Sequence, residues 1–193
     1  MKNYNHLTDN QLICLFREGE IETMGTLVNR YKNGIYSTII LLVRDKDLAE
    51  DLFQDTFIKI MKTINKGSYS DEGKFLPWAM RIAHNLCIDH IRKIKTKNKT
   101  IVTFDSYNSN MAITNSNAES DLIREHDYKN IGRLIENLPM EQREVVVLRH
   151  YADLSFKEIA EMTNCSINTA LGRMRYALVN LRKMMSQDIE VAA

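Results

Sequence analysis

Chain breakers are scarce in this sequence. Only 7 glycines and 2 prolines punctuate 193 residues. Sheets need frequent turns, and turns draw on these residue types. Their scarcity therefore favours long helices. Apolar residues also recur at spacings of three and four, which is the helical period. Met24, Leu27, Val28, Tyr31, Ile35 and Ile39 form one such series. Thr8 and Gln11 match a capping box ahead of Leu12, Leu15 and Phe16. Asp45 starts a further helix with Leu48, Leu52, Phe53, Phe57, Ile60 and Met61 on one side. After a polar, turn-like stretch over 67–73, a fourth helix is expected from about Leu76 to Ile94. Pro77 suits its first turn, where no N–H is needed. Trp78, Ile82, Leu86 and Ile91 give its apolar side.

The pattern is lost from about Lys95 to Ser120, where Asn, Ser, Thr and Lys dominate. This composition reads as a flexible linker, and Ile101 to Phe104 within it as an extended stretch. Periodicity returns at Asp121. Leu122, Ile131, Leu134, Ile135 and Leu138 precede Pro139, which suits the start of a helix carrying Val145, Val146 and Leu148. The expected fold is all-α. Two small helical domains, 1–94 and 121–187, flank the linker 95–120, and the second domain ends in a helix-turn-helix.

Several function classes find no support. The apolar run Ile39 to Val43 is too short to insert into a membrane. The start, MKNYNHLTDNQL, lacks a secretory core, so the cytoplasm is the expected compartment. Cys14, Cys87 and Cys165 form no CxxC pair and read as small buried hydrophobes rather than a disulfide or zinc framework. His84 and His90 are spaced off one helical face, so no metal site is expected. No glycine-rich phosphate loop or nucleophile motif is present, so neither a cofactor nor an enzymatic activity is expected. Net charge is only +1, but it is segregated. RKIKTKNK, Arg92 to Lys99, holds five basic residues and no acid. Ser166 to Gln187 holds Arg173, Arg175, Arg182 and Lys183 and no acid, whereas Asp45, Asp47, Glu50, Asp51 and Asp55 cluster elsewhere. Segregated charge points to separate surfaces for separate partners.

The segment LSFKEIAEMTNCSINTALGRMRYALVNLRK is the most informative. Ser155 and Glu158 match a capping box on a short helix. Ile159 and Ala160 turn inward, and Thr163, Asn164 and Cys165 form a turn. Ser166 then caps a second helix. Ile167, Ala170, Met174, Leu178 and Leu181 are its expected buried face. Asn168, Thr169, Leu171, Gly172, Arg173 and Arg175 remain for the outer face. A DNA recognition helix needs this arrangement, because its N-terminal residues enter the major groove. A helical hairpin with a solvated basic face is the alternative.

The same residues resemble a family signature. Leu138-Pro139, Gln142-Arg143 and LSFKEIAEMTNCSINTALGRMRYAL resemble the fourth domain of bacterial sigma factors. DLAEDLFQDTFIKI resembles their core-polymerase-binding helix, and GKFLPWAMRIAHNLCIDHIRK the helix that opens and reads the minus-ten promoter element. Order and spacing match across about Glu20 to Arg182. With no further sigma domain between the halves, the chain is similar to the extracytoplasmic-function (ECF) subfamily.

The resemblance implies roles. Asp47, Asp51, Gln54 and Asp55 would dock on core RNA polymerase; composition alone would make them a solvated face. Lys74, Phe75, Trp78, Arg81, His84, Asn85, Asp89 and Arg92 would hold the minus-ten element, with the loop 68–75 closing over a flipped base. Trp78 stays open between core and base contact. Arg149, Ser155, Ser166, Asn168, Thr169, Leu171, Gly172, Arg173 and Arg175 would meet the minus-thirty-five element. Promoter DNA, core polymerase and an anti-sigma factor are the implied partners. Leu171 and Tyr176 stand where many relatives carry basic residues. Two other readings compete: a free-standing helix-turn-helix regulator with a sensor domain, and an enzyme with an accessory DNA domain.

Overall fold

The computed structural model describes residues 4–70, 73–98 and 131–192. The linker run Ile101 to Phe104, and the return of periodicity at Asp121 and Leu122, lie outside the described residues. Every regular element among the described residues is helical. The first unit contains α1 (Asp9–Arg17), α2 (Glu22–Val43), α3 (Lys46–Asn65) and α4 (Phe75–Asn98). A helical stretch over 131–136 leads into the second unit, α5 (Met140–His150), α6 (Phe156–Met162) and α7 (Ile167–Ala192).

Local chemistry sets the boundaries. The Thr8 capping box closes the start of α1. Its first residue, Asp9, also takes Arg30 and Tyr31 of α2 as partners. Burial, then the hydrogen bond to Asp9, pushes the Tyr31 hydroxyl up to about 12. Two residues, Arg44 and Asp45, connect α2 to α3. Arg44 adopts a left-handed φ of 62° and ends α2. The Asp45 side chain then accepts from the Leu48 amide at 2.9 Å and starts α3. Arg17 fastens α1 to the far end of α3, donating Nε to Ile64 O at 3.3 Å and Nη2 to Tyr69 O at 2.8 Å.

The two units are not held apart. Their buried residues form one continuous core, and α2 packs against α5 as well as α1, α3 and α4. Gly34 sits at that crossing. A Cβ there would lie 2.8 Å from the Tyr151 carbonyl oxygen, so glycine sets how closely the helices approach. Between the units, His84 of α4 and Glu144 of α5 form a buried pair, Nε2 to Oε1 at 2.6 Å. Burial, and then Arg44 from the first unit, pull the neighbouring Arg143 guanidinium down to about 10.

Four expectations about burial need correction. Ile167 and Leu178 do not line the buried face of α7; they are 46% and 42% exposed. That face is Ala170 and Ala177, fully buried, with Met174 and Leu181 packed beside them. Small residues let α7 sit close to α5 and α6, which rotates its larger neighbours outward. Cys14 is not a buried hydrophobe but exposed, its Sγ near Asn10 Oδ1 at 3.4 Å, and Cys165 is only half-buried. Cys87 is buried, and desolvation pushes its thiol up to about 12.

Gly34→Leu should force the Tyr151 backbone away and part the units while each keeps its helices. Small-angle X-ray scattering should record a larger radius of gyration with unchanged helical circular dichroism. An unchanged radius would show that Gly34 does not set the packing.

Candidate nucleic-acid interface

Three surfaces carry the residues singled out from the sequence. The first is on α3. Asp47, Asp51, Gln54 and Asp55 are all exposed, opposite the buried Ala49, Leu52, Thr56 and Ile60. Four-residue spacing stacks the three aspartates on one side of the helix. This leaves a solvent-facing acidic stripe.

The second surface follows α4. Arg81, Asn85, Asp89 and Arg92 are exposed along one helical face. Lys74 is exposed at its start. Two residues expected here are elsewhere. Phe75 is 1% exposed, a core residue whose ring lies 5.4 Å from that of Tyr31 and 5.8 Å from that of Trp78. The start of α4 must bury a large apolar group to seat the helix, and Phe75 supplies it. His84 is 3% exposed and faces Glu144 rather than solvent. Its position on the helix is turned toward the second unit.

Trp78 combines both of its readings. It is half-buried, with its ring centroid 4.3 Å from that of Tyr69, yet it also lines a groove of about 320 Å³. Lys74, Trp78 and Arg81 form one wall of that groove, and Glu158, Glu161 and Met162 of α6 the other. Arg81 and Glu161 approach to 3.6 Å across it, both half in solvent. An exposed pair of this kind contributes little stability, so the buried contacts hold the units together. The loop expected to close over a base includes residues 71 and 72, which lie outside the described residues. Tyr69, at its start, is buried. Sequence reasoning missed Tyr69, Glu158 and Glu161 as neighbours of this surface. A tyrosine in an otherwise polar loop was a signal for the first; the acids are brought in only by packing between units.

The third surface is the helix-turn-helix of α6 and α7. Ser155 and Glu158 make both halves of the capping box: the Glu158 amide donates to Ser155 Oγ at 3.3 Å, and the Ser155 amide donates to Glu158 Oε2 at 2.9 Å. Asn164 makes the turn with a φ of 52°, a conformation that asparagine tolerates better than most residues. Ser166 Oγ then accepts from the Thr169 amide at 3.0 Å and starts α7. Ser166, Asn168, Thr169, Leu171 and Arg175 are exposed; Gly172 and Arg173 are half-exposed. Arg149 is partly committed within the fold. Its Nη1 donates to Leu154 O at 2.8 Å and its guanidinium lies 5.6 Å from the Phe156 ring centroid. It braces the approach to α6.

Comparison with known proteins now decides the family. The description "Sigma-70 region 2" matches residues 27–97, and "Sigma-70, region 4" matches residues 128–179. The chain belongs to the sigma-70 family. It is 27% identical to the ECF RNA polymerase sigma-E factor of Escherichia coli over 173 residues, 87% of this chain and 89% of that protein. It is 25% identical to the RNA polymerase sigma-H factor of Pseudomonas aeruginosa over 171 residues, 86% and 88% of the two chains. Its fold is similar to that of the sigma factor RpoE from Bartonella quintana, solved with the anti-sigma factor NepR. That match has a TM-score of 0.67 and 21% identity, over 84% of this chain and 96% of that one. CnrH, solved with the cytosolic domain of CnrY, gives a TM-score of 0.64 at 19% identity over 93% and 98%. The protein is therefore an ECF-type sigma factor, a promoter-recognising initiation factor and not an enzyme. No helix among the described residues is long and apolar enough to cross a membrane.

The cap of α6 gives a pH-dependent expectation. Hydrogen bonds from the Ser155 side chain and then its backbone hold the Glu158 carboxyl below its usual range. A depressed folded-state value makes that contribution complete above the ordinary glutamate value of about 4.3. It fades as pH falls through the lower folded value. Ser155→Ala should cost about 1 kcal/mol at neutral pH, read by urea denaturation. The gap between variant and wild type should narrow on acidification; a pH-independent gap would separate Glu158 from the cap.

Proposed function

We propose that this sigma factor divides its work among the three surfaces. The acidic stripe of α3 docks on core RNA polymerase. Lys74, Trp78, Arg81, Asn85, Asp89 and Arg92 hold the minus-ten element as an opened strand. Aromatic faces stack bases, amides meet base edges, and arginines follow phosphates. The α6–α7 pair, with Ser155, Ser166, Asn168, Thr169, Leu171, Gly172, Arg173 and Arg175, grips the minus-thirty-five duplex. The observation that carries this reading is the doubly capped helix-turn-helix, with no acid from Ser166 to Gln187 of its second helix, in one chain with the exposed aspartate stripe. A free-standing regulator needs no such stripe, and no feature favours it.

The packed arrangement adds a condition. Arg81 pairs with Glu161, and the α4 groove is walled by α6. A strand enters that groove only after α6 withdraws. The relatives' solved complexes with an anti-sigma factor and with the cytosolic domain of CnrY support an anti-sigma protein as the partner that controls this chain. The cytoplasm, where core polymerase resides, is its proposed compartment.

A run-off transcription assay with purified protein and core polymerase tests the whole reading. Transcripts should start at discrete promoters; binding core no better than an unrelated acidic protein would defeat it. Asp51→Arg should weaken core binding at least tenfold, a change of about 1.4 kcal/mol, while binding of upstream-element DNA persists. Equal loss of both would indicate misfolding. Arg173→Ala and Arg175→Ala should each weaken upstream-element binding and flatten its salt dependence, since phosphate contacts release counterions. An unchanged footprint for either would remove that residue from the interface.

A further inference from the structure

The outer face of α7 holds two adjacent residues that the fold does not explain. Ala170 and Ala177 mark the buried side of this helix. The opposite side carries Asn168, Leu171, Gly172 and Arg175, spaced i, i+3, i+4 and i+7 and so aligned along one strip. Leu171 lies on this strip 44% exposed, outside the hydrophobic core. Gly172 follows it in mid-helix, where glycine is the least favourable residue after proline. A Cβ at Gly172 would meet nothing within 4 Å. The fold thus makes no use of the missing side chain. An apolar side chain and a bare stretch of backbone sit between an amide and a guanidinium, on a helix with no acid from Ser166 to Gln187.

The major groove of DNA has matching chemistry. Amides pair with adenine edges, guanidinium with guanine or phosphate, and the thymine C5-methyl is the apolar group the groove presents. An acid-free, basic surface favours this polyanion over other occupants. We propose that Leu171 is a specificity-determining residue that packs on the C5-methyl of one thymine in the upstream promoter element. In the same contact, Gly172 lets the helix backbone approach the DNA more closely than any side chain would allow. The chain would then select thymine at that position by shape and apolar contact rather than by a hydrogen bond. This rests on the reading of α7 as the recognition helix for that element.

The test uses the full chain bound to core polymerase. A pool of random-sequence duplexes is first selected for upstream-element binding. Each thymine of the selected element is then replaced in turn by deoxyuridine, which removes only the methyl group. At one position the wild-type protein should lose about fourfold in affinity, the scale of one buried methyl group. Leu171→Ala should bind the thymine duplex as weakly as wild type binds the uracil one, and no longer distinguish the two. Gly172→Ala should raise the Tm while weakening binding to every duplex. If uracil is silent at every position while Arg175→Ala still weakens binding, the methyl contact is overturned and the recognition-helix reading stands. If Leu171→Ala, Arg173→Ala and Arg175→Ala all leave binding unchanged, the recognition-helix reading itself falls. If Leu171→Ala instead loses polymerase while keeping uracil discrimination, Leu171 faces protein and the proposal is overturned.

Discussion

The structure depends on α2 being buried from two directions. Leu27, Ile35, Ile39, Ile40, Leu41 and Leu42 are all nearly or fully buried. One side of α2 takes up α1, α3 and α4, and another takes up α5. A helix apolar over so much of its surface cannot rest against water. It recruits the second unit to cover what the first leaves exposed. The acidic stripe of α3 and the polar face of α4 are then fixed relative to a single scaffold. The same burial brings α6 over the α4 groove.

Polar groups at the junction add selectivity to this apolar attraction. His84 and Glu144 are both withdrawn from water and meet at 2.6 Å. Separating them in place would leave a buried polar group unsatisfied, which is costly. Moving the units fully apart returns both groups to solvent and removes that cost. The junction thus tolerates two arrangements, docked and separated, better than a slightly loosened one. Arg81 and Glu161, already half in solvent, impose little penalty in either.

Much of this was legible in the sequence because it is local. The capping boxes at Thr8 and Ser155, the serine start of α7 and the asparagine turn follow from residues a few positions apart. The acidic stripe follows from four-residue spacing alone. Phe75 and His84, which the family resemblance puts on the minus-ten surface, are not legible in this way. Helical periodicity separates a polar face from an apolar one, but it does not tell which polar position will be covered by another unit. The polar position of His84 is one that the second unit covers. Phe75, at the first turn of α4, has too few helical neighbours for periodicity to orient it. Apolar residues at helical spacing point Ile167 and Leu178 inward; the alanines that set the true face, Ala170 and Ala177, weigh little on any hydrophobic count.

Gly34 has one more consequence. At the α2–α5 crossing, the distance between the halves is set by backbone touching backbone, not by side chains that can shift rotamer. Such a contact has no slack. Most positions in an interface accept a methyl group by local adjustment, but here an added methyl acts as a spacer on the entire docking geometry. The chain therefore carries a mechanical gauge at one residue. A change of alphabet at position 34 would retune how readily the promoter surfaces come free without touching either of them.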